Sequence, residues 1–210
     1  MSPVKSPNLT GSSISNWKTE FILLTDKSKN KRLTRESWVK GAFNTLCEEG
    51  IDQVRVERLA KKLNVTKGSF YWHFKDRSEL LDALIEYWND EMTKTVLENA
   101  KMFHGDPVQR IFSTLRDIIS NEKTKHDPVF RAWANHDPKA QKYVEKVDKL
   151  RTSFLTDLFV DAGFSAEESE IRARMLYYYV LGEAYVTKKE SRAVRLKRIE
   201  RKAEIFTNKS

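Results

Sequence analysis

Between Asn64 and Arg77 the chain reads Asn-Val-Thr-Lys-Gly-Ser-Phe-Tyr-Trp-His-Phe-Lys-Asp-Arg, and few folds accommodate such a stretch. Thr66 is placed to cap a helix, and Asp76, with Glu79 three residues on, is placed to cap the next one. The helix between those caps is therefore barely two turns long. Phe70 and Phe74 fall on one of its faces, while Lys67, Ser69, Tyr71, Trp72, His73 and Lys75 fall on the others. A helix hidden in a core needs no such crowd of hydrogen-bond donors. Upstream, Val56, Leu59, Ala60 and Leu63 stripe a second short helix over residues 54–63, and Asn64 suits the left-handed residue of the turn. Two short helices about a tight turn, the second presenting donors outward, describe a helix-turn-helix that reads DNA.

The charge is distributed to match. The chain carries 38 Lys and Arg against 30 Asp and Glu, a net charge of +8. Counted along the sequence, residues 1–77 hold fifteen basic against eight acidic residues, and the remainder holds twenty-three against twenty-two. Nearly all the excess surrounds the helix-turn-helix, where counterion release from DNA needs it. The bland alternative, that the basic residues merely solubilise the chain, is not excluded by charge alone.

Tyr71-Trp72-His73 and the run Leu80-Leu81-Asp82-Ala83-Leu84 carry a resemblance to a known family. Residues 32 to about 92 resemble the DNA-binding domain of the TetR family of bacterial transcriptional regulators, in its tetracycline-repressor type. The remainder resembles more weakly that family's ligand-binding and dimerisation domain. The resemblance implies an all-α fold in three parts: a basic arm over 1–31, a three-helix DNA-binding domain over 32–92 with its motif at 55–74, and a helical effector-binding and dimerisation domain over 93–210. The DNA-facing set expected on chemistry and position is Arg55, Thr66, Lys67, Gly68, Ser69, Tyr71, Trp72, His73, Lys75 and Arg77. Lys67 and Ser69 open the recognition helix, where base edges are met, and lysine donates naturally to guanine O6 and N7. Tyr71, Trp72 and His73 offer phenol, indole and imidazole donors to phosphates and groove, with a partly buried core tyrosine as the other reading of Tyr71. Lys75 and Arg77 flank the next helix start. Three departures stand out: Val54 and Arg55 lie where a capping Thr or Ser is usual, Asn64 stands at the turn position usually held by glycine, and Glu57 puts a carboxylate at a position where relatives contact DNA, which repels phosphate unless it accepts from cytosine N4 or pairs with Arg58.

The rest of the chain reads as helices. Thr34 caps a helix to Glu49 that ends at Gly50, and a long one is expected without interruption from Asp76 to about Lys101. Asp106-Pro107, Asp127-Pro128 and Asp137-Pro138 each announce a helix, with aspartate as cap and proline in the first turn, giving helices at about 107–121, 128–135 and 138–162. Ser165 and Glu168 open another to about Val186, and a last one spans about 190–206. In the arm, Trp17, Phe21, Ile22 and Leu24 hint at a short amphipathic piece. Two readings stand for the arm: it lies along phosphates or a minor groove, or it is a tail without a role in binding.

No catalytic constellation is present. His73, His104, His126 and His136 never pair at helical spacing, and zinc-ligand or phosphate-loop patterns are absent, so neither enzymatic activity nor a metal or cofactor is expected. His126 and His136 precede Asp-Pro pairs and are expected at solvated helix starts. Cys47 is the only cysteine, so no intrachain disulfide forms, and a small packing residue in a cytoplasmic protein is expected. No membrane segment or signal peptide is evident. The expected partners are a palindromic double-stranded DNA, a second copy joined through the last two helices, which carry Ile171, Met175, Leu176, Tyr179, Val194 and Ile199, and a small-molecule effector. Phe103, Phe112, Phe130, Trp133 and Tyr178 are the residues expected around that effector. The function expected is a repressor released from its operator by the effector. The alternative is a DNA-binding regulator or architectural protein with a filled core and no small-molecule ligand.

Overall fold

The computed structural model describes residues 33–186 and 190–208; the basic arm and its Trp17–Leu24 segment lie outside the described residues. The described part is all-helical: α1 (Arg35–Glu49), α2 (Val56–Lys62), α3 (Lys67–Phe70), α4 (Arg77–Asn89), a π-helical turn (Asp90–Lys94), α5 (Thr95–Lys101), α6 (Pro107–Ser120), α7 (Asp127–Ala134), α8 (Pro138–Asp161), α9 (Ala166–Tyr185), α10 (Arg192–Lys197) and α11 (Ile199–Thr207). Among the described residues no helix is long and apolar enough to cross a membrane.

Local chemistry sets most of the boundaries. Thr34 Oγ1 accepts from Ser37 N at 3.2 Å to open α1. Gly50, at φ 88°, closes it by donating its N–H to Leu46 O. Asp106 accepts from Val108 and Gln109 N, Asp137 from Lys139 and Ala140 N, and Ser165 from Glu168 N. These caps fall where the sequence puts them. Asp127 does not. It occupies the first turn of α7 behind His126, and its side chain turns into the protein, 0% exposed. Arg151 draws it there, as a buried carboxylate demands a partner. The last segment also departs from the expected single helix, breaking at Arg198 into α10 and α11.

Two apolar cores form. The first gathers Trp38, Leu46, Leu59, Phe70, Leu80 and Trp88, and it reaches past the helix-turn-helix to take in Phe130, Trp133, Val144 and Val147. The second is built from α6, α8, α9 and α11 around Leu115, Phe159, Leu176 and Ile199. The face of α9 opposite its buried Leu176 and Tyr177 leaves Ile171, Met175, Tyr178 and Tyr185 each more than half exposed, at spacings of one helical stripe.

The long helix expected from Asp76 is continuous in direction but not in geometry. Between α4 and α5 it widens into the π turn, and Thr93 within that turn is 1% exposed. π turns inside α-helices recur at functional positions. Here the extra residue aims Thr93 at Arg151, whose Nε donates to Thr93 Oγ1 at 2.9 Å.

Candidate nucleic-acid interface

The recognition element is shorter than the sequence suggests. α3 is one turn, Lys67–Phe70, and the chain continues through hydrogen-bonded turns in which His73 N and Phe74 N both donate to Phe70 O, at 2.9 and 3.0 Å. Its apolar side fixes it. Phe70 and Phe74, 0% and 2% exposed, stack with ring centroids 5.3 Å apart, and Trp38 meets Phe70 edge-on at 5.3 Å. Arg35 lies over the Phe74 ring at 4.6 Å. Because these rings anchor one side, the intervening residues must point away: Trp72 is 79% exposed and Tyr71 56% exposed. Tyr71 is therefore not a core tyrosine, although its ring touches Phe70 at 5.3 Å.

Thr66 holds the cap position of α3, but its side chain makes no capping bond; its carbonyl accepts from Ser69 N at 3.0 Å instead. The hydroxyl is thereby left on the exposed rim beside Lys67 and Gly68. Asn64 takes the left-handed turn at φ 54°. Asp76 caps α4 through Glu79 N at 3.0 Å, and Glu79 reaches back to Lys75 N at 2.8 Å, fixing the exit from the recognition turn. Lys75 is exposed, and Ser69 and His73 are half-buried on the same outer side.

Three of the expected DNA contacts carry protein partners. Lys67 Nζ donates to Glu57 Oε1 at 2.5 Å; the bond to Glu57 raises the lysine's pKa and lowers the glutamate's. Glu57 thus pairs with Lys67 rather than with Arg58, which pairs with Glu49. Arg77 sends Nε to Val54 O at 2.6 Å and Nη2 to Ile51 O at 3.0 Å, tying the start of α4 to the loop before α2. Arg55 donates to Asp52 O at 2.7 Å and offers α2 no side-chain cap. The sequence spacing did not disclose the carboxylate and the carbonyls that these three side chains reach.

Cys47 is half-buried and its Sγ lies 3.3 Å from His126 Nδ1. Burial, then the charge of Glu48, pushes the thiol up to about 12, so it is a packing group rather than a nucleophile. His126, expected at a solvated helix start, instead packs edge-on against Phe43 at 4.9 Å, and burial lowers its pKa. No cluster of three or more His, Cys, Asp or Glu is placed to hold a metal among the described residues.

The aromatic residues expected around an effector do not converge. Phe130 stacks on Trp88 at 4.6 Å within the first core, and Trp133 is buried there with Nε1 donating to Asp137 at 3.0 Å. Phe112 packs on the second core, Phe103 is half-buried after α5, and Tyr178 is 59% exposed on α9. A cavity of about 40 Å3 lies elsewhere, beneath the π turn and α5, with Met92, Val96, Leu97, Phe154, Lys123 and Arg151 among its walls. Aromatic content misled because large rings filled the cores first. One signal could have found Arg151: it interrupts the apolar stripe Val144, Val147, Leu155, Leu158 at a core position.

The family described as bacterial regulatory proteins, tetR family, matches residues 39–84. The chain is 33% identical over 86 residues to the HTH-type transcriptional regulator AcrR of Shigella flexneri, a match covering 41% of this chain and 38% of that one. It is 45% identical over 53 residues to the tetracycline repressor protein class D of Escherichia coli, covering 25% and 24%. The matched stretches thus span less than half the length of these curated relatives. Across a larger span the fold is shared with a TetR-family regulator from Rhodococcus sp., at a TM-score of 0.66 and 20% identity, covering 85% of this chain and all of that one. The helices that seat Tyr71 and Trp72 fall inside the family match, and residues 39–84 are thus a segment of the kind found in the tetR family of bacterial regulatory proteins.

Proposed function

We propose that this protein is a cytoplasmic transcriptional repressor that binds a palindromic operator as a homodimer and is released by a small molecule. One observation carries the reading: α3 and the turn after it are pinned on their inner side by Phe70 and Phe74, while Tyr71, Trp72, Thr66, Lys67 and Lys75 face outward as a cluster of donors. One turn of helix reads too few base pairs for genomic specificity, so two copies are required. The exposed stripe Ile171, Met175, Tyr178 and Tyr185 on α9 supports pairing there, with α10 and α11 alongside. In the dimer the two recognition turns must lie about 34–36 Å apart to meet successive major grooves.

The test is selection of duplexes from a random pool by the full chain, with sizing of the free and bound protein. Palindromic sequences bound by a dimer are expected. A protein that remains monomeric at micromolar concentration and enriches no sequence would overturn the reading. A second reading, a regulator with a filled interior and no small ligand, is favoured by the small size of the cavity, about 40 Å3. The effector measurements below separate the two.

A further inference from the structure

The cavity beside the π turn has an unusual composition. Its walls are mostly apolar, Met92, Val96, Leu97 and Phe154 among them, yet two cations border it. Arg151 is neutralised: Nη1 donates to Asp127 Oδ2 at 2.5 Å and Nε to Thr93 Oγ1. Lys123 is not. Its Nζ donates to the backbone oxygen of Glu91 at 2.7 Å, and among the described residues it pairs with no carboxylate. One uncompensated positive charge therefore stands at the edge of an apolar depression. A neutral carbonyl is a weaker partner for an ammonium than a carboxylate is, and the low-polarity surroundings widen that difference.

Resting on the effector reading above, we propose that this cavity takes a short-chain monocarboxylic acid in its anionic form. The carboxylate is held by Lys123, and the hydrocarbon tail lies against Met92, Val96, Leu97 and Phe154. A cation is repelled by Lys123, and a dianion leaves a charge without a partner. A neutral amide of the same shape gains the apolar contacts but not the charge-assisted bond. The cavity's small volume selects a short chain, and the half-buried, unbranched Met92 gives way as it enters. Occupancy also draws Lys123 off Glu91 O, which lies in the π turn, so the ligand acts on the segment that joins the DNA-binding helices to the rest of the chain.

The probes are butanoate, hexanoate and octanoate, with hexanamide and hexylamine as controls, titrated calorimetrically into the full-length protein. Hexanoate is expected to bind roughly tenfold more tightly than hexanamide, and hexylamine not at all. Lys123→Met, at a half-buried position that leaves the cores intact, is expected to erase the preference for hexanoate while leaving hexanamide binding unchanged. Its melting temperature verifies folding, and Lys123→Arg restores the preference. Equal affinity for hexanoate and hexanamide in the native protein, or equal loss of both in Lys123→Met, overturns the assignment. No binding of any carboxylate overturns it as well and favours a filled interior. Because calorimetry needs no DNA, a failure here with operator selection intact sinks the ligand class alone. Carboxylate binding without operator selection sinks the repressor reading and leaves the site standing.

Discussion

Beside α3, Lys67 and Glu57 pair with their side chains 51% and 65% exposed; where α4, α7 and α8 meet, Arg151 and Asp127 pair with theirs 10% and 0% exposed. The surface pair is solvated whether made or broken, so it exchanges readily for a phosphate or a base. The buried pair has no such alternative. Asp127 also accepts from Trp88 Nε1 at 3.2 Å, and Arg151 sits 5.3 Å from the Trp88 ring centroid while holding Thr93. One network thus ties three helices and the π turn to a single arrangement. Charge beside α3 can exchange its partner in solvent, and charge in the interior holds α4, α7 and α8 in one arrangement.

The sharpest way to break the comparison is to remove one buried partner. Asp127→Ala leaves the Arg151 guanidinium uncompensated and should lower the unfolding free energy by about 3–5 kcal/mol in urea denaturation. Replacing both partners, Asp127→Leu with Arg151→Met, should recover most of that loss, because an apolar pair of similar volume avoids the desolvation cost. If the double variant is as stable as the native protein yet still represses and releases normally, the network is structural only. Loss of the response to an effector at native stability is the outcome expected.

A middle effect is expected on the recognition face. Trp72→Ala and Tyr71→Ala should each weaken binding to specific and scrambled duplexes by a similar factor, on the order of tenfold, with unfolding free energy changed by less than about 0.5 kcal/mol. Both side chains are more than half exposed, so little packing is lost. Arg77→Ala should behave differently. Its two bonds to Ile51 O and Val54 O hold the helix-turn-helix against α4, so about 1 kcal/mol of stability should go with whatever DNA affinity is lost. Comparing melting temperatures of the three variants decides whether Arg77 is a phosphate contact or a brace.

What the sequence disclosed follows the range of the interactions. The caps at Thr34, Asp76, Asp106, Asp137 and Ser165 act within three residues, and the aromatic spacing of Phe70 and Phe74 acts within one turn; all are legible locally. Asp127 looked like its two Asp-Pro counterparts because its distinguishing partner, Arg151, lies 24 residues away, and Trp88 lies 39 away. Local propensity cannot see either. The same limit explains why the aromatic residues expected around an effector do not meet: Phe130 and Trp133 are rich in aromatic surface, and the first core absorbs them. The π turn left no mark in the hydrophobic pattern at all, since Met92 and Val96 keep the four-residue spacing of an ordinary helix.

The smallest effect, and the one that tests how freely surface charge is exchanged, concerns Lys67 and Glu57. In the free protein the Glu57 carboxylate holds the Lys67 ammonium, so a base or phosphate must compete with it. Glu57→Gln removes that competitor and a negative charge from the DNA-facing side. Affinity for all duplexes should rise a few-fold, and the slope of log affinity against log salt should steepen by up to about 0.9, the contribution of one more phosphate neutralised. Lys67→Ala should lower affinity and, if Lys67 reads a base, lower it more for the selected palindrome than for scrambled DNA. The double variant separates the roles. Should Glu57→Gln have no effect once Lys67 is alanine, the glutamate acts only by restraining the lysine. A few-fold gain that persists without Lys67 instead means that the carboxylate itself repels the phosphates, and the pair is incidental to binding.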